Sequence, residues 1–221
     1  MAKSIAIDGP AGAGKSTIAK MVAKELGFIY VDTGAMYRAM ALYLIEKGID
    51  REDTASIEKA CEDADISIDY EMGQQVVLLM GKNVNDRIRT EEVGNMASAS
   101  SVNPRVREKL VALQQKLASQ KDVVMDGRDI GTVVLPDSKC KIYLTASSAV
   151  RAKRRYDELV AKGEKCDIKK IEADIIERDH RDMTREHSPL KQADDAVLVD
   201  SSDMSIEEVR DAILAEAKRK L

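Results

Sequence analysis

Ile5-Ala6-Ile7-Asp8-Gly9-Pro10-Ala11-Gly12-Ala13-Gly14-Lys15-Ser16-Thr17 reads as a short apolar strand, a glycine-rich turn and the first turn of a helix. Gly9 through Ser16 fits G-x-x-x-x-G-K-[ST] without a mismatch. The glycines let the backbone adopt conformations that a Cβ forbids, so successive N–H groups can converge on one anion. A helix starting near Lys15 adds free N–H groups and the positive end of its dipole. In this motif Lys15 brings a point charge to the β- and γ-phosphates, and Ser16 offers a hydroxyl to a Mg²⁺ ion. Ile5 and Ile7 supply the strand, while Ile18, Met21, Val22 and Leu26 recur at helical spacing. The motif has the strand-to-helix setting it needs. It predicts a nucleoside triphosphate site.

Composition narrows the rest. A chain of 221 residues is one large domain, or one domain with inserts, and can bury a sizeable core. With 33% charged residues, 3% aromatics and no Trp, it fits an α/β or helix-rich protein. A net charge of −4 and a pI near 5.4 argue against a general nucleic-acid or membrane-surface binder. Cys61, Cys140 and Cys166 are scattered and lack metal spacing, as in a reducing compartment. The first strand begins almost at Met1, and no apolar run reaches membrane-spanning length. The expectation is a soluble, cytoplasmic protein.

Beyond the glycine loop, a strand over 28–31 ends in Asp32-Thr33-Gly34 and leads into a helix bearing Met36, Met40 and Tyr43 or Leu44 on one face. Tyr37 and Arg38 lie on its first turns, near the sheet edge where open α/β folds bind ligands. Arg38 is open to two readings, a solvated surface arginine or a ligand contact. Residues 50–63 predict an acidic helix. The pattern then changes to short strands at 66–70, 75–80 and 84–87 with turns between them, a small antiparallel meander. Residues 36–100 therefore read as an insert on the core, placed to flap over a second substrate.

Asn103-Pro104 predicts a helix start, with Val106, Leu110, Leu113 and Leu117 as its core stripe to about residue 120. Arg105 and Arg107 oppose the dipole in its first turn, which suits an anionic or acceptor-rich ligand as well as a plain surface. Val123-Val124-Met125-Asp126-Gly127-Arg128-Asp129-Ile130-Gly131-Thr132 delivers two carboxylates and an arginine onto a loop at a strand's end. Asp126 there can hold Mg²⁺ through water. After a strand at 141–145 comes a basic helix with Arg151, Lys153, Arg154 and Arg155, then a second helix from 167–168. Ile168, Ile171, Ile175 and Ile176 are expected to form that helix's buried face. Arg178, Asp182 and Arg185 form one stripe, which is either a salt-bridged surface or part of a mobile lid. His180 and His187 read as exposed bystanders. Val197-Leu198-Val199 is a last core strand, and Ser205 caps a terminal amphipathic helix.

Asp8–Thr17, Asp32-Thr33-Gly34-Ala35-Met36-Tyr37-Arg38, Asp126–Thr132 and Glu177-Arg178-Asp179-His180-Arg181-Asp182 together resemble the bacterial cytidylate kinases, in order and over almost the whole chain. That resemblance implies an α/β, P-loop nucleoside-monophosphate-kinase fold. It has a five-stranded parallel sheet flanked by helices, a small antiparallel insert and an arginine-rich helical lid. Residues 1–35, 101–150 and 186–221 would form the core, 36–100 the monophosphate-binding insert and 151–185 the lid of one domain. The implied reaction moves the γ-phosphoryl group of ATP to CMP or dCMP with Mg²⁺, in a monomer that uses neither nucleic acid nor membrane. Catalytic charge falls on Lys15, Arg128, Arg178 and Arg185. ATP contacts fall on Gly9, Pro10, Ala11, Gly12, Ala13, Gly14, Lys15, Ser16, Thr17 and Arg154. Acceptor-phosphate contacts fall on Arg38, Arg128 and Arg185, base contacts on Ser98, Arg107 and Asp129, and sugar contacts on Arg178 and Asp182. Thr33 and Tyr37 line the same pocket, and Ser16 and Asp126 face the metal. Two positions depart from the family's habit, Ala11 and Thr33, where serine is common.

Rival readings fare worse. A GTPase switch needs Asn-Lys-x-Asp and Asp-x-x-Gly, and neither occurs. A nucleic-acid-dependent ATPase calls for a broader basic or aromatic surface. A kinase for another small acceptor, such as UMP or a sugar acid, stays open.

Overall fold

Residues 2–221 are described by a computed structural model. The chain runs β1 (Ser4–Asp8), α1 (Lys15–Leu26), β2 (Ile29–Asp32), α2 (Thr33–Glu46), α3 (Thr54–Asp63), β3 (Ile66–Glu71), β4 (Gln74–Leu79), β5 (Lys82–Asn83) and α4 (Glu91–Ser100). It continues through α5 (Pro104–Gln120), β6 (Val123–Gly127), a π-helical turn (Ile130–Val134), β7 (Cys140–Thr145), α6 (Ser148–Ala161), α7 (Ile168–Thr184), β8 (Val197–Asp200) and α8 (Ile206–Lys220).

Five strands form a parallel sheet in the order β2-β6-β1-β7-β8. Its central strands are apolar on both faces because both faces are covered. Ile5, Ile7, Val124, Ile142 and Leu144 meet Ile18 and Val22 of α1 and Val209 and Ile213 of α8. Ala6, Val123 and Met125 face the other way, onto Met36, Met40, Val106 and Leu110 of α2 and α5. The second sheet, β3-β4-β5, is antiparallel and lies beside the first layer's edge strand. Fold class is thus as the sequence suggested, with the carboxyl ends of β1, β2, β6 and β7 opening toward one edge.

Local chemistry sets the helix starts. Asp32, Thr90, Asn103, Ser147, Asp167 and Ser205 each accept from a backbone N–H of the helix that follows. Ser205 and Glu208 complete a reciprocal capping box. Glycine is required at position 9, where φ is 150° and a Cβ would lie 1.9 Å from the Leu144 carbonyl oxygen.

Four expectations need correction. Residues 84–87 are loop and turn, not a strand; β5 is only Lys82–Asn83, and Val84 instead sends its side chain into the core. The acidic helix starts at Thr54, because Asp53 caps it. In α7, Ile168 and Ile176 are exposed, and the buried residues are Asp179 and Asp182. That helix faces a polar cleft rather than an apolar core, so its buried stripe is charged. In β8 only Val199 is buried, since the strand is the sheet's outer edge. Among the described residues no helix is long and apolar enough to cross a membrane.

Candidate active site

The glycine loop carries φ of 77° at Gly12 and 85° at Gly14, the left-handed values that turn its N–H groups inward. Lys15 is the first residue of α1 and is buried, donating to the Pro10 carbonyl at 2.7 Å. Burial and the Arg128 charge hold its ammonium below the ordinary range, against the pull of Asp126 and Asp8. Ser16 donates to Oδ2 of Asp126 at 2.8 Å. Burial, then the neighbouring Asp32, pushes the Asp126 carboxyl up, while Lys15 and the Ser16 and Tyr30 hydroxyls oppose the rise.

A cavity of about 290 Å³ opens beside this pair. Ser16, Asp126, Lys15, Arg128, Arg178 and Arg185 line it. So do Thr33, Tyr37 and Arg38 from α2, Ser98 from α4, Arg107 from α5, and Asp129 and Asp182. Stretches far apart in sequence therefore meet in one concave space. Inside it, buried ion pairs set the geometry. Arg107 donates to Asp129 and to the Ser101 carbonyl, and lies 5.4 Å from the Tyr37 ring centre. Arg128 Nε donates to Asp182 at 2.9 Å. Arg185 lies 3.9 Å from Asp182 and 4.0 Å from Asp129. Among the described residues, the Tyr37 hydroxyl, Arg107 Nε, Arg178 Nε and an Arg185 terminal nitrogen are buried without a hydrogen-bond partner. Donors left in that state are costly unless a ligand takes them. The cavity is built for an anion with many acceptors.

A second cavity, about 520 Å³, adjoins the far side of the glycine loop. It is lined by Gly12, Ala13, Gly14, Lys15, Ser16 and Thr17, by Arg154 of α6, and by the β8–α8 loop. Arg154 donates to the Ser201 carbonyl at 2.7 Å and its hydroxyl at 3.2 Å. Gly9 and Pro10 lie beneath the loop, buried. Ala11 contributes its carbonyl to Arg151 at 2.9 Å. Thr33 donates to the Asp126 carbonyl at 2.7 Å, so its hydroxyl is spent on the protein. Arg105, in contrast to Arg107, is exposed and pairs with Glu108.

Several residues escaped the sequence reading. Asp8 accepts the N–H groups of Ile130 and Gly131 at 2.8 and 2.7 Å, tying the Arg128–Asp129 loop to the root of the glycine loop. Burial raises its carboxyl to about 6. Arg89 pairs with Asp32 at 3.3 Å and joins the cavity wall. Arg151 binds Asp179 at 2.6 Å, coupling α6 to α7. Asp8 stood out as the residue before the motif and Arg151 as part of the basic helix, but the partners of both lie far away in sequence; Arg89 had no signal.

Among the described residues no three His, Cys, Asp or Glu side chains cluster as a metal site. Ser16 and Asp126 do offer oxygens side by side. Mg²⁺ binds through one or two such protein oxygens when phosphates supply others, so the donor set fits it.

A family model for cytidylate kinase matches residues 5–219. The chain belongs to the cytidylate kinase family. The kinase is 51% identical over 211 residues to the cytidylate kinase of Caldicellulosiruptor saccharolyticus, covering 96% of this chain and 93% of that one. It is 49% identical over 223 residues to that of Bacteroides fragilis, covering 99% and 97%. An uncharacterized protein from Eubacterium ventriosum shares the fold, with a TM-score of 0.51, 15% identity and 99% of each chain covered.

Proposed function

We propose that this kinase transfers the γ-phosphoryl group of ATP to CMP or dCMP, giving ADP and CDP or dCDP. The observation that carries the reading is the meeting of 33–38, 98–107, 128–129 and 178–185 in one cavity beside Lys15 and Ser16. In this reading the neighbouring cavity at Arg154 takes ATP, and the two substrates approach across the glycine loop.

Arg38, Arg128 and Arg185 hold the acceptor phosphate, Arg178 and Asp182 the sugar, and Ser98, Arg107 and Asp129 the base. Thr33 and Tyr37 shape the wall. An acceptor phosphate oxygen forms the new P–O bond as the bond to ADP breaks, and the electron pair leaves with ADP. That oxygen is already ionised, so no catalytic base is needed. The residues supply position and positive charge. Lys15, Arg128, Arg178 and Arg185 balance charge as it moves. Ser16 and Asp126 would hold Mg²⁺, which when bound neutralises charge on the ATP phosphates. Residues 151–185 close as a lid, and within 36–100 the part beyond α2 closes as a flap, because Met36 and Met40 of α2 stay packed on the sheet; together they exclude water that would otherwise compete as acceptor.

The same reading makes the enzyme a cytoplasmic monomer in pyrimidine nucleotide supply, acting on free nucleotides. A net charge of −4 with 3% aromatics speaks for free nucleotides over nucleic acid. Coupled ADP formation across CMP, dCMP, UMP, AMP and GMP tests the assignment. CMP or dCMP should lead the panel; equal use of UMP or AMP would overturn it.

Two finer outcomes follow. Arg154→Ala should raise KM for ATP about threefold to tenfold, the scale of one charge-assisted contact, and leave KM for CMP unchanged. A shift in the CMP value instead would move Arg154 to the other substrate. Cytosine presents an N4 amino donor where uracil presents an O4 acceptor, and a carboxylate accepts only from the first. Asp129→Asn should therefore narrow the CMP-to-UMP ratio of kcat/KM by about tenfold, roughly 1.4 kcal/mol. Equal losses for both substrates would mean that Asp129 serves only to hold Arg107.

A further inference from the structure

Tyr30 lies outside both nucleotide cavities, yet its hydroxyl donates to Oδ1 of Asp126 at 2.8 Å. The other oxygen, Oδ2, accepts from Ser16. Each carboxylate oxygen thus has its own hydroxyl donor, and the plane of the group is set by two anchors on different elements. Sheet register explains how Tyr30 gets there. In β2 and β6, Asp32 stands opposite Asp126 and Tyr30 opposite Val124. Tyr30 therefore sits two residues along the neighbouring parallel strand from the position opposite Asp126, and its long side chain carries the hydroxyl across that offset. Its ring packs with the α1-side core, and Lys20 of α1 places its ammonium 5.5 Å from the ring centre. The insert braces the same strand: Tyr70 donates to the Tyr30 carbonyl at 3.2 Å, and the Gln75 amide pairs with both backbone groups of Asp32 at 2.7 and 3.2 Å.

We propose that Tyr30 is a positioning residue for the metal-facing carboxylate, locking Asp126 in the rotation that keeps it against Ser16 and presents it to the phosphate-bound cation. This rests on the reading of Ser16 and Asp126 as the metal's protein oxygens. Ser16 uses its proton on Asp126, which leaves its oxygen lone pairs for a cation. Without the Tyr30 hydroxyl, Oδ1 is a buried acceptor lacking a donor. Asp126 can then turn toward Lys15 instead, and the pairing with Ser16 loosens.

The test is Tyr30→Phe, which keeps the ring and removes only the hydroxyl, read beside Tyr70→Phe and Asp126→Ala. Calorimetric affinity for ADP is measured with Mg²⁺ and with chelator, and activity is titrated with Mg²⁺ at saturating ATP and CMP. In Tyr30→Phe the gain in ADP affinity on adding Mg²⁺ should shrink about fivefold, while metal-free ADP affinity and KM for CMP stay at the wild-type value. Half-maximal activity should require about fivefold more Mg²⁺. Tyr70→Phe, which loses the insert's contact but keeps the Tyr30 hydroxyl, should match wild type in both. A Tyr30→Phe protein with wild-type Mg²⁺ dependence overturns the positioning role, as does an equal loss of ADP affinity with and without metal. If Asp126→Ala itself keeps the wild-type Mg²⁺ dependence, the fault lies in the metal assignment and not in Tyr30.

Discussion

Lys15→Ala should give a folded kinase whose kcat is lower by about 10²–10⁴, on the order of 3–5 kcal/mol of transition-state stabilisation. The position explains both halves of that result. Lys15 stands at the N-terminus of α1, inside a ring of left-handed glycines, where its ammonium shares the site with the helix dipole and Arg128. Burial and Arg128 hold its pKa below the ordinary value, so the fold works against the charged form at neutral pH. Deleting the charge relieves that strain, and the thermal midpoint should stay close to wild type or rise. What is lost is the partner of a triphosphate whose charge shifts during transfer, and the loss belongs in kcat more than in KM for CMP. A folded variant with near-normal turnover would show that the glycine loop is not the phosphate cradle. Circular dichroism and a CMP titration separate that outcome from misfolding.

Sequence and structure agree most closely where chemistry is local. The glycine loop, the caps at Asn103 and Ser205, and the buried stripe of Val106 and Leu110 are each set by residues a few positions apart. Where the reading missed, the cause is pairing at a distance. Nothing near Asp8 in sequence announces that it holds the amides of Ile130 and Gly131, more than a hundred residues away. Tyr30 read as an ordinary strand residue because its hydroxyl partner lies on β6. Arg89 sits in a turn just beyond the last short strand expected at 84–87, and its partner Asp32 lies back on β2. The α7 helix misled for a different reason. Its isoleucines recur at helical spacing, a pattern that normally marks the inward face. Here the inward face meets arginines, so Asp179 and Asp182 are buried while Ile168 and Ile176 face solvent. Periodicity identifies a helix, but it does not say whether the facing surface is oil or charge.

That charged face yields the second large effect. Asp182→Ala should weaken CMP by about 10²–10³, on the order of 3–4 kcal/mol, and lower kcat at saturating CMP by at least about tenfold. Burial pushes the Asp182 carboxyl up, but the charge and hydrogen bond of Arg128, with Arg178 and Arg185 beyond, hold it below the usual carboxylate range. Asp182 therefore stays ionised among cations, accepting from Arg128 Nε at 2.9 Å with Arg185 at 3.9 Å. Removing it leaves three arginines facing one another across a buried cleft, with Arg178 Nε already lacking a hydrogen-bond partner among the described residues. Arg128 and Arg185 then lose the anchor that aims them at the acceptor phosphate, which accounts for the loss in kcat. A sugar hydroxyl loses its acceptor as well, which accounts for the loss in affinity. ATP should be little affected, with KM within about twofold, because its proposed cavity is walled by Arg154 and the β8–α8 loop, without Asp182. Asp182→Asn keeps the shape and one acceptor but not the charge, and should fall between wild type and alanine. The measurements are CMP and ATP affinities by calorimetry and kcat at saturating Mg-ATP. Equal losses for the two substrates, or a lower thermal midpoint with unchanged kinetics, would return Arg128, Asp182 and Arg185 to a purely structural ion-pair web.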